Sequence, residues 1–383
     1  MAADLSTISV TGLTVQVCGD AHLANFGLFA SPERKLVFDI NDFDETLQGP
    51  WEWDLKRLAV SVTIAARHNE LSRDECCEAT GRVVRSYREA MRDFAGWRTT
   101  DVWYAHVDEK DFIAFAERKQ TEKRGKKTVA KAKTKHSRQA LDRLTENVDG
   151  ENRIKSKPPL LVPLRELSQQ IRLIDETLIK DAYEAYVRSV PADCQLLLRN
   201  YEPVDFALKA VGVGSVGTRC WILLLEGRDR DDPLFLQMKE ATVSVLAEFL
   251  RPSPYKNHGR RIVEGQRLMQ TANDIFLGWT HTHETGHDFY WRQLRDWKGS
   301  VDIDHLEAFD LNSYADLCGW TLARAHARSG DPIAIAGYLG SSDMFDRAMI
   351  EFTERYADQN ERDYAAFIEE VQSGRLRAVR EPA

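Results

Sequence analysis

The segment from Cys18 to Glu45, CGDAHLANFGLFASPERKLVFDINDFDE, contains the residues whose types and spacing are best suited to chemistry. Asn25 follows Asp20 by five residues, and Asp42 follows Asn25 by seventeen. A suitably placed carboxylate can accept the proton of a reacting hydroxyl group, and carboxylate and amide oxygens are ligands that Mg²⁺ prefers. The spacing therefore predicts a catalytic base, Asp20, beside a Mg²⁺ site made of Asn25 and Asp42, with Asp44 as a second acidic candidate.

The order of a base, an asparagine five residues later and a more distant metal-binding aspartate is typical of protein kinases and small-molecule kinases. The alternative is that GDAHLAN is a turn and NDFDE a solvated acidic loop, since Asp and Asn are common in turns. The apolar run Leu36–Ile40 predicts a strand that ends directly at the acidic residues. We therefore favour the phosphotransferase interpretation of this segment.

A glycine-rich segment occurs far downstream, in the sequence ALKAVGVGSVGTRCWILLLE from Ala207 to Glu226. Its glycines fit the pattern G-x-G-x-x-G, which in a dinucleotide-binding fold is followed by a helix. The apolar run Cys220 to Leu225 predicts a strand instead, so we expect a hairpin whose backbone N–H groups cover the phosphates of a nucleotide. A glycine-rich hairpin without a ligand is the alternative. The candidate nucleotide-binding residues are Gly212, Gly214, Ser215, Gly217 and Thr218.

A lysine in the next predicted strand, PLFLQMKEA from Pro233 to Ala241, is the candidate phosphate contact. Lys239 occupies the position of the phosphate-binding lysine of kinase strand three. The following predicted helix supplies Glu264 as its ion-pair partner, with Gln266 and Arg267 as substitutes on the same helix. The alternatives are an ordinary lysine at a strand edge and a solvated helix carboxylate.

The order of these parts is reversed relative to kinases, in which the glycine loop and lysine precede the catalytic loop. Circular permutation would explain this order, because folds tolerate it when the original termini lie close together. The segment Leu311 to Asp331 is similar to a helix that precedes the catalytic loop in aminoglycoside-phosphotransferase-like kinases. Asp331 is a rival for the base, but no asparagine lies five residues after it. We expect His326 to be a helix residue near the site, or else an ordinary buried histidine.

Five runs of the sequence together resemble a bacterial family called domain of unknown function 2252: GDAHLANFG, FDINDFDETLQGPWEWDLKRLA, VGVGSVGTRC, EGQRLMQ and YWRQLRDWKGS. The resemblance extends over nearly the whole chain and implies a kinase-like enzyme. It implies that Asp54 and Arg57 brace the catalytic loop. His22, two residues after Asp20 as in many small-molecule kinases, joins the catalytic candidates. No lysine lies between Asp20 and Asn25, which favours a small-molecule acceptor. Members usually begin with a longer segment, so we expect one helix of the family to be missing.

The composition limits the classes of protein to which the chain can belong. Its 383 residues exceed one typical domain, and its net charge of −8 argues against a general nucleic-acid-binding protein. No apolar run approaches the length of a membrane-spanning helix, and no signal peptide is recognisable. The six cysteines lack paired or metal-binding spacing, which indicates a reducing cytoplasm. A metal cluster in the run THTHETGHD is less favoured than a structural hairpin.

Together these features predict a two-lobed α+β fold of the protein-kinase type, circularly permuted. Residues 1–195 and 300–383 would form a helical lobe, and residues 196–299 a β-rich nucleotide-binding lobe. The predicted function is transfer of a phosphoryl group from ATP, with Mg²⁺, to a hydroxyl of a small molecule or a protein. The alternatives are AMP transfer to protein hydroxyls and a non-catalytic nucleotide-binding module.

Overall fold

The chain folds into α-helices and several separate β-sheets, which confirms the prediction of an α+β protein. The computed structural model describes residues 1–114, 119–135, 137–167, 176–210, 217–294 and 297–376. Within them the helices are α1 (Ala2–Ser6), α2 (Trp51–His68), α3 (Arg73–Gly96), α4 (Thr99–Tyr104), α5 (Glu109–Ala114), α6 (Lys119–Lys133), α7 (Ser137–Leu144), α8 (Glu176–Val187), α9 (Ala192–Leu198), α10 (His258–Met269), α11 (Ala308–Ser329), α12 (Pro332–Leu339) and α13 (Met344–Gln372). The strands are β1 (Thr14–Val17), β2 (Phe26–Ala30), β3 (Leu36–Ile40), β4 (Leu47–Pro50), β5 (Val107–Asp108), β6 (Thr145–Val148), β7 (Glu151–Ile154), β8 (Leu161–Pro163), β9 (Glu202–Lys209), β10 (Cys220–Glu226), β11 (Pro233–Ala241), β12 (Gly278–Thr282) and β13 (His287–Gln293).

The largest hydrophobic core lies among helices from both ends of the chain. α2, α3 and α11 pack together, and α13 lies against α2 and α3. Ser72 and Glu75 form a capping box that fixes the start of α3. α11 approaches α3 closely because Gly319 has no side chain: a Cβ there would lie 2.4 Å from the carbonyl oxygen of Val83. The two ends of the sequence therefore share one core.

A six-stranded antiparallel sheet with the order β12-β13-β11-β10-β9-β8 forms the second part of the fold. β9 and β10 are antiparallel neighbours on either side of the glycine-rich segment, so a strand follows Gly217 as predicted. β12 and β13 form the predicted histidine-containing hairpin. α8 and α9 cover one face of the sheet, where Tyr186 stacks on Trp291 with ring centroids 4.5 Å apart. α8 and α9 therefore pack on the sheet, although the sequence suggested the helical lobe for them.

Two small sheets connect the two parts and position two loops. β1 pairs with β4, and β2, β3 and β5 form a three-stranded sheet. The Asp20 loop, residues 18–25, follows β1, and the acidic loop, residues 41–45, follows β3. α11 lies against β1, where the Ser329 hydroxyl accepts a hydrogen bond from the N–H of Gln16 at 3.1 Å. α10 contacts both the sheet and α11, so it joins the two parts.

Candidate functional site

One row of residues across the sheet faces the acidic loop. Lys239 in β11 lies opposite Cys220 in β10 and Tyr290 in β13, and directly paired residues project from the same face of a sheet. The Tyr290 hydroxyl donates a hydrogen bond to Asp44 Oδ1 at 2.8 Å, and Lys239 Nζ forms an ion pair with Asp44 Oδ2. The sheet thus presents its lysine to an acidic residue 195 positions away in the sequence.

The backbone that leads to Asp20 is fixed by a buried carboxylate. Asp54 Oδ2 accepts a hydrogen bond from the N–H of Cys18 at 2.6 Å, and its Oδ1 accepts one from the N–H of Gly19 at 3.0 Å. Gly19 has a φ of +84°, and a Cβ on it would lie 2.6 Å from the carbonyl oxygen of Glu45. Only glycine suits that position, and the charge-assisted bonds to Asp54 hold the turn in place.

His326 supports Asp54 from α11. Its ring is buried, with Nε2 3.3 Å from Asp54 Oδ2 and Nδ1 2.8 Å from the Tyr87 hydroxyl. His326 therefore lies on a helix, as predicted, and is also a buried histidine with partners for both ring nitrogens. The rival aspartate, Asp331, is the N-cap of α12, and its side chain accepts hydrogen bonds from two backbone N–H groups of that helix.

The Asp20 carboxylate is accessible, with 42% of its side chain exposed. Arg57 Nε donates a hydrogen bond to Asp20 Oδ1 at 2.5 Å, and Arg57 Nη2 forms an ion pair with the same oxygen. His22 Nε2 lies 3.7 Å from the other oxygen, Oδ2. Arg57 therefore orients the carboxylate through one oxygen, and the second oxygen is placed to accept a proton from a bound molecule.

A cavity of about 460 Å³ opens beside Asp20. Asp20, Arg57 and Glu45 contribute polar groups to its wall, while Trp53 and Phe249 contribute apolar ones. This volume is within the range of small-molecule sites in proteins. The cavity can therefore hold a hydroxyl compound of moderate size next to the candidate base.

Asn25 joins the Asp20 loop to the acidic loop. Its Nδ2 donates hydrogen bonds to the carbonyl oxygens of Asp20 and Asp42, each at 3.0 Å, and its Oδ1 accepts one from the N–H of Asp42 at 2.7 Å. The residue is buried. The sequence predicted that Asn25 is a metal ligand. In the structure its side chain instead links the two loops through hydrogen bonds. One lone pair of Oδ1 remains for a metal ion.

Asp42 and Asp44 differ in how far their carboxylates are already engaged. The Asp42 side chain is 48% exposed and lies 4.0 Å from Lys239 Nζ, whereas Asp44 is bonded to both Lys239 and Tyr290. Burial opposes the ionisation of Asp42, but Lys239 and Arg292 lower its pKa below the ordinary value. Burial, together with the charge of Asp42, raises the pKa of Asp44. Asp42 is therefore the better ligand for a cation.

The donor set fits a Mg²⁺ ion that takes few of its ligands from the protein. Mg²⁺ commonly keeps several waters and binds one or two carboxylates together with substrate phosphates. In the part of the chain that the structure describes, no three acidic, histidine or cysteine side chains form a metal-binding group. In the β12–β13 hairpin, His281 instead pairs with Asp288 at 2.7 Å. Asp42 would hold a Mg²⁺ ion, with the Asn25 amide oxygen as a neighbouring ligand.

Glu264 is not the partner of Lys239, which corrects the prediction from the sequence. Asp44 neutralises Lys239, while Glu264 lies 3.7 Å from Arg260 one turn earlier in α10. The reason is the position of the acidic loop, which brings its own carboxylate to the ammonium group. The helix carboxylate is left with a partner on the helix surface.

α10 reaches the acidic loop through Arg261, which sequence reasoning missed. Arg261 Nη1 donates a hydrogen bond to the carbonyl oxygen of Thr46 at 2.6 Å, and Nη2 donates one to that of Asp44 at 2.8 Å. An arginine within the buried stretch of an amphipathic helix requires such partners, and this was the available signal. The two substitutes for Glu264 also bind elsewhere. Gln266 donates a hydrogen bond to the side chain of Gln270, the C-cap of α10, and Arg267 donates one to the carbonyl oxygen of Leu277.

The glycine-rich segment meets the sheet at the end where Lys239 lies. Three of its candidate residues lie outside the described residues: Gly212, Gly214 and Ser215. Gly217 has a φ of +89°, and Thr218 follows it shortly before β10. Cys220, the first residue of β10, pairs with Lys239. β10 therefore begins beside the candidate phosphate-binding lysine.

Two further cations near the acidic loop were also missed. Arg292 in β13 donates a hydrogen bond from Nε to Gln237 Oε1 at 3.0 Å and one from Nη1 to the carbonyl oxygen of Asn41 at 3.3 Å. Lys298 lies a few residues after β13, and burial, with Arg292 as the second cause, lowers its pKa to about 7. Both belong to the run YWRQLRDWKGS, where their charges were the available signal.

Comparison with known proteins identifies the family of the chain. The family model described as uncharacterized protein conserved in bacteria (DUF2252) matches residues 1–370. No curated protein and no solved structure matches the chain. Among the described residues, none of the helices has both the length and the apolar character needed to cross a membrane. The match includes the Asp20 loop, the acidic loop and the six-stranded sheet, and the chain therefore belongs to the bacterial family DUF2252.

Proposed function

We propose that the protein transfers a phosphoryl group from Mg²⁺-bound ATP to a hydroxyl group of a small molecule. One observation supports this most directly: the Asp20 loop, the acidic loop and Lys239 meet although they are distant in the sequence. Phosphoryl transfer needs a base, a metal-binding carboxylate and a phosphate-binding cation around one triphosphate. Asp20, Asp42 and Lys239 are residues of these three kinds.

In the proposed reaction, the acceptor lies in the cavity beside Asp20. Its hydroxyl oxygen forms a bond to the γ-phosphorus, its proton passes to the Asp20 carboxylate, and the bond from the γ-phosphorus to the bridging oxygen breaks to release ADP. Arg57 keeps the carboxylate oriented, and His22 lies beside its second oxygen. Mg²⁺ bound to Asp42 would neutralise charge on the phosphates. Positioning and charge stabilisation account for most of the catalysis in such reactions.

We extend the proposal to a two-lobed, circularly permuted kinase-like fold. Two arrangements support it. α11 lies against β1, the strand that leads into the Asp20 loop, as a helix preceding a catalytic loop would. The antiparallel sheet, with α10 packed against it, contains the candidate lysine and borders the glycine-rich segment. In this proposal the helical lobe is formed by both chain ends and the sheet is the nucleotide-binding lobe.

AMP transfer to a protein and nucleotide binding without catalysis are the rival functions. Phosphoryl transfer releases ADP, AMP transfer releases pyrophosphate, and a binding module releases neither. The cavity at Asp20 favours an enzyme with an acceptor over a binding module, because a sensor would need no second pocket beside the base. Its volume favours a small acceptor.

The test measures ADP and pyrophosphate release from Mg·ATP in the presence of a panel of hydroxylated small molecules. The variant Asp20→Asn removes the base, and Asp331→Asn is the matched control because asparagine can also cap a helix. We expect ADP release by the wild type and the control with at least one acceptor, and its loss in Asp20→Asn. Pyrophosphate release, or ADP release that Asp20→Asn leaves unchanged, would contradict the proposal.

A further inference from the structure

The acidic loop offers oxygen ligands for one metal ion rather than two. Protein kinases place two Mg²⁺ ions at the triphosphate, one of them on the asparagine of the catalytic loop. In this protein, Asn25 Nδ2 and one lone pair of Asn25 Oδ1 are already engaged in hydrogen bonds to the backbone of Asp20 and Asp42. Asp44 is bonded to Lys239 and Tyr290. The Asp42 carboxylate is therefore more available than that of Asp44, while the remaining acid of the loop, Glu45, binds the N–H of Val245 and lines the cavity beside Asp20.

Positive charge in excess lies next to this single ligand. The hydrogen bonds of Arg292 go to uncharged acceptors, the Gln237 amide oxygen and a carbonyl oxygen of the acidic loop. Neither Arg292 nor Lys298 forms an ion pair with any carboxylate of the described residues. Burial at Arg292 is outweighed by Tyr290, Asp42 and Asp44, which hold its pKa above the ordinary value, whereas burial lowers the pKa of Lys298. A bound anion would offset the cost of charging the buried lysine.

The backbone holds Lys298 beside the acidic loop. The next residue, Gly299, exchanges two backbone hydrogen bonds with Leu28 in β2, at 2.8 and 2.9 Å. A Cβ on Gly27 would lie 2.5 Å from the carbonyl oxygen of Gly299 and 2.7 Å from the Asn41 side chain. The segment that contains Lys298 is thus packed against β2 and the first residue of the acidic loop.

We infer that the site binds its triphosphate with one Mg²⁺ ion, on Asp42, and that Arg292 and Lys298 bind the phosphate oxygens in place of a second metal ion. The inference rests on the proposed function. The two side chains supply two positive charges, which is the charge of one Mg²⁺ ion. The guanidinium group presents donors in a fork that matches phosphate oxygens, and the lysine adds a mobile point charge.

The ionisation of Lys298 agrees with this geometry. Burial and, second, the neighbouring Arg292 lower its pKa to about 7, although Asp42 and Asp274 oppose the decrease. Without a ligand, the charged amine is therefore unfavourable in this position. A phosphate placed between Arg292 and Lys298 would stabilise the charged form and raise the pKa again.

Binding of inorganic tripolyphosphate without metal, measured by calorimetry, tests the role of Lys298. We expect Lys298→Met to weaken binding by about 10–100-fold, the range for a lost charge-assisted hydrogen bond. Lys298→Arg should restore most of the affinity, and Lys157→Met, which changes an exposed lysine, should leave it at the wild-type value. Wild-type affinity in Lys298→Met would overturn the inference.

Counting the bound metal ions tests the inference that the site holds a single Mg²⁺ ion, and this measurement does not require a variant. Mn²⁺ bound in the presence of a non-hydrolysable ATP analogue is counted by electron paramagnetic resonance. One ion per chain is expected, and a second tightly bound ion would overturn the inference. If the count is one and Lys298→Met weakens binding but no ADP is formed, the phosphate site stands and the proposed reaction fails. If ADP is formed with two ions bound, the reaction stands and the inference fails.

Discussion

The Asp20 loop and the face of the sheet that carries Lys239 are stabilised in opposite ways. The loop is held through its backbone by Asp54 and Asn25, two buried side chains whose hydrogen bonds are all made inside the protein. The sheet face presents Lys239 and Arg292, and Lys298 follows shortly after β13; we call these three cations the cationic wall. Within the described residues only Lys239 pairs with a carboxylate. The candidate base is therefore held in place by folding alone, whereas in our proposal a bound ligand completes the cationic wall.

Removing the base should separate chemistry from binding on the pre-organised side. Asp20→Asn should reduce turnover about 10²–10⁴-fold, the usual contribution of general acid–base catalysis, while nucleotide affinity stays within a factor of two or three of wild type. Steady-state ADP release and calorimetry with Mg·ATP measure the two effects. Turnover near the wild-type rate would show that Asp20 is a turn residue and not a catalytic base.

Removing the support of the base should instead damage the fold. Asp54→Ala leaves the N–H groups of Cys18 and Gly19 without their acceptors, and two unsatisfied buried donors should cost about 2–6 kcal/mol in the free energy of unfolding. Urea denaturation measures this loss, with Glu248→Ala at an exposed position of the same cavity as the control. A decrease no larger than that of the control would mean that the loop does not depend on Asp54.

Removing Asp42, the candidate metal ligand, should affect nucleotide binding and leave the Asp20 loop unchanged. In Asp42→Ala, the part of the ATP affinity that depends on Mg²⁺ should disappear, while metal-free tripolyphosphate should bind at least as tightly, because a negative charge near Lys298 is gone. Calorimetry with and without Mg²⁺ distinguishes the two ligands, and Asp302→Ala is an exposed control. Retention of the Mg²⁺ effect would exclude Asp42 as the ligand.

The smallest expected effect is a pH dependence confined to the cationic wall. Lys298 faces Arg292, Asp42, Asp274 and Lys209, and its pKa is about 7. If phosphate binding raises that pKa, a proton is taken up on binding, so affinity should fall as the pH rises above about 7, by at most about tenfold per pH unit. The arginine of Lys298→Arg stays charged over this pH range. Subtracting the pH dependence of its tripolyphosphate affinity from that of the wild type therefore removes the contribution of the titration of tripolyphosphate itself. Parallel profiles for the two proteins would show that Lys298 does not titrate on binding.

The sequence was most informative where function depends on residues close together in the chain. The spacing of Asp20, Asn25 and Asp42 placed all three at one site, and the alternation of apolar runs predicted β9 and β10 on either side of the glycines. These features follow from local periodicity and turn chemistry.

The partners of the cations were beyond such reasoning. Asp44 rather than Glu264 binds Lys239, because the exact course of the acidic loop decides which carboxylate reaches the ammonium group. Arg292 and Lys298 look like ordinary charges in a mixed run until β13 and the residues after it are placed against the acidic loop and β2. Such contacts depend on tertiary packing, which no local pattern specifies.

The contact of α11 with β1 has a consequence for the order in which the protein is synthesised. The Asp20 loop is synthesised long before α11, the helix that contains His326, which supports the anchor of the loop, and Ser329, which binds β1. Until α11 emerges, α3 and β1 lack the helix that covers them. Nascent chains arrested before Ala308 should thus be cut by protease at the Asp20 loop, and chains with α11 fully outside the ribosome should be protected. Equal protection of both would show that the nascent Asp20 loop folds without α11.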